Sequence, residues 1–158
     1  MIVVEEGALD RLAAYVPRPT LVVMDVNTEA VAGARVAREL GADVLRLPAD
    51  LHATEDAAAQ VRARLRTGLV AVGSGTLTDI VRYAAHSAGC DFVSVPTAAS
   101  MDGYASSVAA MERDGVKLTL RPGDTYVQNG TRHRWSNKGD MPAVLAVTLI
   151  GAEHATVR

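Results

Sequence analysis

Gly73-Ser74-Gly75-Thr76 stands between an apolar run, Leu69-Val70-Ala71-Val72, and a segment with helical spacing. In that setting the backbone N–H groups of a helix start, reinforced by the helix dipole, can hold a phosphate. Small residues there let the backbone approach a pyrophosphate closely, and Gly73 to Thr76 followed by Leu77 supply such a turn. The turn lacks the third glycine of the dinucleotide-binding spacing, and no acid ends a following strand about 20 residues on. A tight structural turn and a phosphate site are both open readings of these residues. Asp25, which closes an earlier apolar run, could accept from a ribose hydroxyl or simply form a turn beside a helix cap.

A second group, residues 95–107, follows another apolar run and is dense in small and hydroxylic side chains. Loops at the carboxyl ends of strands are where open α/β sheets place ligands. Thr97, Ser100 and Ser106 can donate to cofactor oxygens, and Asp102 can accept from a substrate hydroxyl. The alternative is a loop whose hydroxyls cap helices.

The elements around these residues read as alternating strands and helices, the pattern of a parallel sheet with crossover helices. Residues 2–4 are a candidate edge strand, and residues 7–15 have helical spacing through Leu9, Leu12 and Ala13. Residues 20–24 are apolar throughout, as expected for a strand covered on both faces. A polar turn at 25–28 follows, in which Asn27 or Thr28 can cap a helix that stops at Gly41. Strand is expected again at 42–47, 69–72 and 92–95, with helices opened by Thr54 and running over 76–88. Arg62, Arg64 and Arg66 near the end of the Thr54 helix read as a solvated face.

After about residue 115 no helical period survives. Residues 116–120 alternate apolar and polar, turn residues follow at 121–124 and 129–130, and 143–150 is a last apolar run. The expected architecture is therefore α/β, a Rossmann-like, mostly parallel sheet with helices on both faces over residues 1–115, followed by a small antiparallel β unit over 116–158. So short a unit has little core of its own and must pack on the first part or pair with another copy, so a homo-oligomer is expected.

The 158 residues carry 16 Lys and Arg against 18 Asp and Glu, a net charge of −2, so no basic surface for nucleic acid is expected. Hydrophobic residues at 49% and charged residues at 22% provide for a real core. Cys90 is the only cysteine, which excludes an internal disulfide framework and a multi-cysteine zinc site. No signal-peptide pattern and no apolar run of roughly 20 residues occurs, so a soluble, cytoplasmic protein without membrane contact is expected.

Three blocks carry a resemblance: Asp25-Val26-Asn27-Thr28; Gly73-Ser-Gly-Thr-Leu-Thr-Asp-Ile-Val-Arg-Tyr83; and Ser94-Val-Pro-Thr-Ala-Ala-Ser-Met-Asp-Gly-Tyr-Ala-Ser-Ser-Val-Ala-Ala-Met111. In order and spacing, residues 1 to about 118 resemble the glycerol-1-phosphate dehydrogenases of the iron-containing alcohol dehydrogenase and dehydroquinate synthase superfamily. The resemblance implies NAD or NADP as cofactor and a small phosphorylated polyol as substrate. It implies that Gly73, Ser74, Gly75, Thr76 and Leu77 contact the pyrophosphate and that Asp25 contacts the adenosine ribose. Thr97, Ala98, Ala99, Ser100 and Ser106 would contact the cofactor, and Asp102 the substrate. It also implies a catalytic zinc held by one Asp and two His of a further domain, none of which falls within this chain. Cofactor binding is therefore the property expected of these residues.

Leu120-Arg-Pro-Gly-Asp-Thr-Tyr-Val-Gln-Asn-Gly-Thr-Arg-His-Arg-Trp-Ser-Asn137 resembles the second motif of small cupins, part of a β-barrel. That resemblance implies a metal-ligand position at His133, whose partners in an earlier His-Xaa-His motif are absent upstream. One histidine does not make a site, so a structural role for His133 is the expectation, and Trp135 reads as core. His52 and His86 read as ordinary surface residues. Two partial domains joined near residues 112–120 would account for both resemblances.

Overall fold

Two six-residue strands, β1 (Thr20–Asp25) and β3 (Gly68–Gly73), are buried along their whole length, and the rest of the chain is arranged around them. The structure, a computed structural model, describes residues 3–98, 106, 108–113 and 116–118, all within one unit spanning residues 1–125. Strands β2 (Asp43–Leu47) and β4 (Val93–Pro96) flank the central pair, and all four run parallel in the order β2-β1-β3-β4.

Strand periodicity divides the core in two. Leu21, Val23, Leu69 and Ala71 point to one face, where helices α3 (Glu55–Ala63) and α4 (Gly75–Ala88) cover them with Ala58, Val61, Leu77, Ile80, Val81 and Ala84. Val22, Met24, Val70 and Val72 point to the other. There Val36 and Leu40 of α2 (Ala34–Leu40) and Leu12 of a 3-10 helix (Ala8–Ala14) close over them. Near-continuous apolar strands are what burial on both faces requires.

The helix on that second face starts without a loop. A single turn, α1 (Val26–Thr28), follows β1 directly, passes through a π-helical stretch at Glu29–Gly33 and continues as α2 to Gly41, which takes the left-handed conformation (φ 58°) of a helix terminus. The cap expected from Asn27 or Thr28 is instead Asp25. Its Oδ1 accepts from the backbone N–H of Asn27 and of Thr28, both at 2.8 Å, and Thr28 Oγ1 accepts in return from the Asp25 N–H at 3.0 Å. The strand runs to Asp25 itself, so the cap falls earlier than a separate turn would put it.

The other expected elements occur close to their expected bounds. Thr54 caps α3 by accepting from the Ala57 N–H, and Gly89 (φ 65°) ends α4. Arg64 and Arg66 are exposed, Arg66 pairing with Asp43 of β2 at 2.8 Å. Arg46 binds Glu29 through two parallel bonds, from Nε to Oε2 and from Nη2 to Oε1, which holds the Glu29 carboxyl below its ordinary value and keeps the outer strand against the π-helical stretch.

One expected strand does not form as expected. Val3 and Val4 are irregular and exposed, because no described strand offers them a ladder, and Gly7 (φ 73°) turns the chain into the 3-10 helix. Of the expected β unit after residue 115, Val116–Leu118 forms strand β6, antiparallel to β5 (Met111–Arg113). Its remainder, including His133, Trp135 and the run at 143–150, lies outside the described residues, as do Ala99, Ser100 and Asp102.

The join between β1 and β3 tolerates no added atom at Gly68, where a Cβ would lie 2.0 Å from the Pro17 carbonyl oxygen and 2.9 Å from Thr20 Oγ1. Gly68→Ala is expected to destabilise the fold by about 2 kcal/mol, measured as a lower urea midpoint with an unchanged slope. An unchanged midpoint would mean that β3 does not start against residues 17–20.

Candidate functional site

The four strands end level. Asp25 is opposite Leu47, Met24 opposite Val72 and Gly73 opposite Pro96, so the carboxyl ends of all four strands form one edge. From β1 the chain moves to β2 on one side, and the next crossover carries it to β3 on the other. This reversal between β1 and β3 is a topological switch point, where open parallel sheets leave a crevice for ligands. Asp25 and Gly73 stand on its two sides.

On the β3 side, Ser74 is extended (φ −83°, ψ −170°) and α4 begins at Gly75. The two glycines differ in purpose. A Cβ on Gly73 would sit 2.9 Å from the Leu77 Cβ, so glycine there lets the first turn of α4 close down on the strand end. A Cβ on Gly75 would meet nothing within 4 Å, so glycine there leaves the helix start open. Ser74 makes no side-chain cap, so among the described residues the N-cap side chain does not occupy the first-turn amides of α4. Leu77 is fully buried, and only its backbone amide can serve a ligand. Thr76 is half-buried on the same turn.

On the β1 side, both backbone bonds to Asp25 fall on Oδ1, leaving Oδ2 as the oxygen that can meet a ligand. After β4, the Thr97 N–H donates to the Gly73 carbonyl at 3.2 Å, which sets the start of the next loop beside the glycine turn, with Ala98 following. Asp25, Gly73 to Leu77, Thr97 and Ala98 are thus brought to one edge. Ser106 lies beyond the loop, and its hydroxyl is engaged locally, donating to the Val108 carbonyl at 2.9 Å and accepting from the Val108 N–H at 3.1 Å.

Two features escape sequence reasoning. A cavity of about 240 Å³ opens beyond the end of β2, lined among others by Leu47, Pro48, Leu51, His52, Asp56 and Ala57. That is smaller than the roughly 300 Å³ at which pockets for a whole drug-sized ligand begin. His52 is exposed, as expected of a surface residue, and its Nδ1 meets Glu112 Oε2 of β5 at 2.9 Å. The other is Arg82 on α4, whose guanidinium is pushed below its ordinary value by burial, opposed by the Asp79 carboxylate at 3.3 Å. His52 and Glu112 are sixty residues apart, whereas Asp79 and Arg82 are one helical turn apart.

Residues 3–125 match the family described as iron-containing alcohol dehydrogenase. The chain belongs to that family. It is 40% identical over 114 residues to a protein of Halalkalibacterium halodurans named glycerol-1-phosphate dehydrogenase [NAD(P)+], covering 63% of this chain and 28% of the relative. It is 35% identical over 136 residues to the Bacillus subtilis protein of the same name, covering 76% and 34%. Among solved structures, a probable glycerol dehydrogenase from Sinorhizobium meliloti 1021 is 27% identical with a TM-score of 0.56, over 73% of this chain and 34% of that one. The chain therefore spans about a third of the length of these proteins.

The iron-containing alcohol dehydrogenase match includes the β5–β6 hairpin as well as the parallel sheet. The family's description names a metal, and the described residues do not fit one: no three His, Cys, Asp or Glu side chains among them come together as a ligand set. Among the described residues, no helix is long and apolar enough to cross a membrane.

The contrast between the two glycines is testable by stability alone. Gly75→Ala is expected to stay within about 0.5 kcal/mol of the parent, while Gly73→Ala loses about 1–2 kcal/mol because Leu77 must shift. Chemical denaturation of both variants checks this, and equal losses would mean that the start of α4 is not open as described.

Proposed function

We propose that this chain is the dinucleotide-binding part of an NAD(P)-dependent dehydrogenase that interconverts dihydroxyacetone phosphate and sn-glycerol 1-phosphate. The observation that carries the reading is the uncapped first turn of α4, opened by Gly75 at the switch point between β1 and β3. Amides that the N-cap side chain leaves open, at the positive end of a 14-residue helix, are suited to a pyrophosphate. The names of the relatives, which contain both glycerol 1-phosphate and NAD(P)+, support the same reading.

In this reading the Gly75, Thr76 and Leu77 amides receive the pyrophosphate, Gly73 and Ser74 shape the approach, and Asp25 Oδ2 accepts from the adenosine ribose. The cavity beyond β2 lies on the same side as Asp25 and takes the adenine ring. Thr97 and Ala98, together with Ala99, Ser100 and Ser106, serve the remainder of the cofactor, and Asp102 serves the substrate hydroxyl. Because the described residues do not fit a metal, no step of hydride transfer is assigned to them, and the function assigned here is holding the cofactor.

Asp25 also sets the choice between cofactors. A carboxylate at the ribose repels a 2′-phosphate, so NADH is expected to bind about tenfold more tightly than NADPH. Asp25→Asn keeps an oxygen to cap the helix and removes the charge, so it should narrow that preference with little loss of stability. Titration of the protein with NADH and NADPH, followed by fluorescence, tests both points. Gly75→Asp is the decisive comparison, because it places a charge where the helix tolerates it and the pyrophosphate does not. Saturable NADH binding that is lost in Gly75→Asp supports the reading, and absent binding, or equal binding in the variant, sinks it.

A further inference from the structure

Asp25 is not the only charged side chain that the sheet and its first helix bring to the β1–β2 end of the crevice. Val44 and Arg46 point to the same face of β2, and while Val44 packs against the second core, Arg46 reaches Glu29 at the start of the π-helical stretch. Its Nε donates to Glu29 Oε2 at 2.8 Å and its Nη2 to Oε1 at 2.6 Å. That pairing uses one edge of the guanidinium. Nη1 makes no hydrogen bond among the described residues, and the Arg46 side chain is 56% exposed. Of the residues that form the four parallel strands, Arg46 is the only Lys or Arg.

The register sets where this cation stands. Arg46 is opposite Met24, one residue short of the Leu47–Asp25 pair that ends both strands, and neighbouring strands lie about 4.8 Å apart. Glu29 follows Asp25 by four residues in the helix that Asp25 caps, a rise of about 6 Å. The guanidinium is therefore held about one helical turn from the Asp25 carboxylate and makes no ion pair with it. Leu47, the next residue, lines the cavity assigned to adenine, so an adenosine that reaches from Asp25 to the cavity passes over the end of β2. A free ribose hydroxyl ends at Asp25 Oδ2. A phosphate on that hydroxyl extends the ligand past the carboxylate by a tetrahedral group, into reach of a long side chain one turn away.

We propose that Arg46 is a specificity-determining residue of the dinucleotide site: its open guanidinium edge receives the 2′-phosphate of NADPH and offsets the repulsion from Asp25, while Glu29 holds the side chain in place. The inference rests on the function proposed above. A guanidinium suits the double task, because its planar fork gives one edge to a carboxylate and keeps another for a phosphate. NADH carries no group at that position, so Arg46 acts on one cofactor and not on the other. The preference for NADH set by Asp25 is then what remains of a larger one. Glu29 limits the compensation, since its carboxylate is a like charge for the phosphate.

The test is a pair of titrations, NADH and NADPH followed by fluorescence, on the parent, Arg46→Gln, Arg46→Lys and Glu29→Gln, with thermal melting of each. Arg46→Gln is expected to weaken NADPH about tenfold and to leave NADH within about twofold of the parent, so the preference for NADH widens to about a hundredfold. Arg46→Lys, which keeps the charge without the fork, should fall between them. Glu29→Gln keeps an oxygen for Arg46 and removes the like charge, so NADPH tightens about threefold while NADH is unchanged. A purely structural pair would weaken both cofactors together with the melting temperature, in Glu29→Gln as in Arg46→Gln, and that result overturns the proposal. So does NADPH affinity unchanged in Arg46→Gln, or a parent that binds NADH and no NADPH. If the parent itself fails to bind NADH, the underlying function falls and the proposal with it. That outcome is separate from a parent that binds and an Arg46→Gln variant that discriminates between the cofactors as the parent does.

Discussion

Everything in this fold depends on β1 and β3 lying parallel and side by side, with both faces of each strand covered. Their alternating side chains, Leu21 and Val23 with Leu69 and Ala71 on one face, Val22 and Met24 with Val70 and Val72 on the other, nucleate two cores from two strands. Parallel neighbours cannot be joined by a hairpin, so helices must carry the chain back, and those helices are what cover the faces. The crevice follows from the same constraint. Once one crossover goes to β2 and the next to β3, the two central strands end with helices leaving to opposite faces.

Close approach at the strand ends is then a matter of which positions can do without a side chain. Gly68 lets β3 start under the Pro17 carbonyl, and Gly73 lets it finish against Leu77. Gly75 meets no such neighbour, so its missing side chain is not explained by packing. Asp25 is divided differently: Oδ1 closes the cap that turns β1 straight into a helix, while Oδ2 takes no part in it. Both alternatives open for Asp25 from its type alone are compatible in one carboxylate, because a carboxylate has two oxygens.

The elements legible in the amino-acid sequence are those whose signal is local. Residues 20–24 and 69–72 declare themselves as buried strands by their apolar runs, and the structure extends them to Thr20–Asp25 and Gly68–Gly73; Gly41 marks a helix end by the backbone conformation it permits. What stays hidden depends on partners far along the chain. Val3 and Val4 have strand-forming neighbours in type but no described strand beside them. The cap at Asp25 rather than Thr28 turns on where the strand stops, which periodicity fixes only to a residue or two. His52 meets Glu112 only when that residue, sixty positions later, folds against it, and Arg82 donates to the Val108 carbonyl only when the chain returns to α4. The cavity beyond β2 likewise exists only once residues 48–54 have closed over α3.

In the proposed reading, such a site separates holding a cofactor from transforming a substrate. Its central donors are backbone amides, positioned by a helix that is itself positioned by Leu77, Ile80, Val81 and Ala84 in the core. Such donors need no metal and no titrating side chain to be in place, only the fold. The cost of orienting them is already met by burial of the sheet, so they are preorganised in the sense that matters for binding an anion. Asp25 beside the crevice and Arg82 on α4 can be altered without dismantling the core, because neither belongs to the apolar clusters that hold β1 and β3 together.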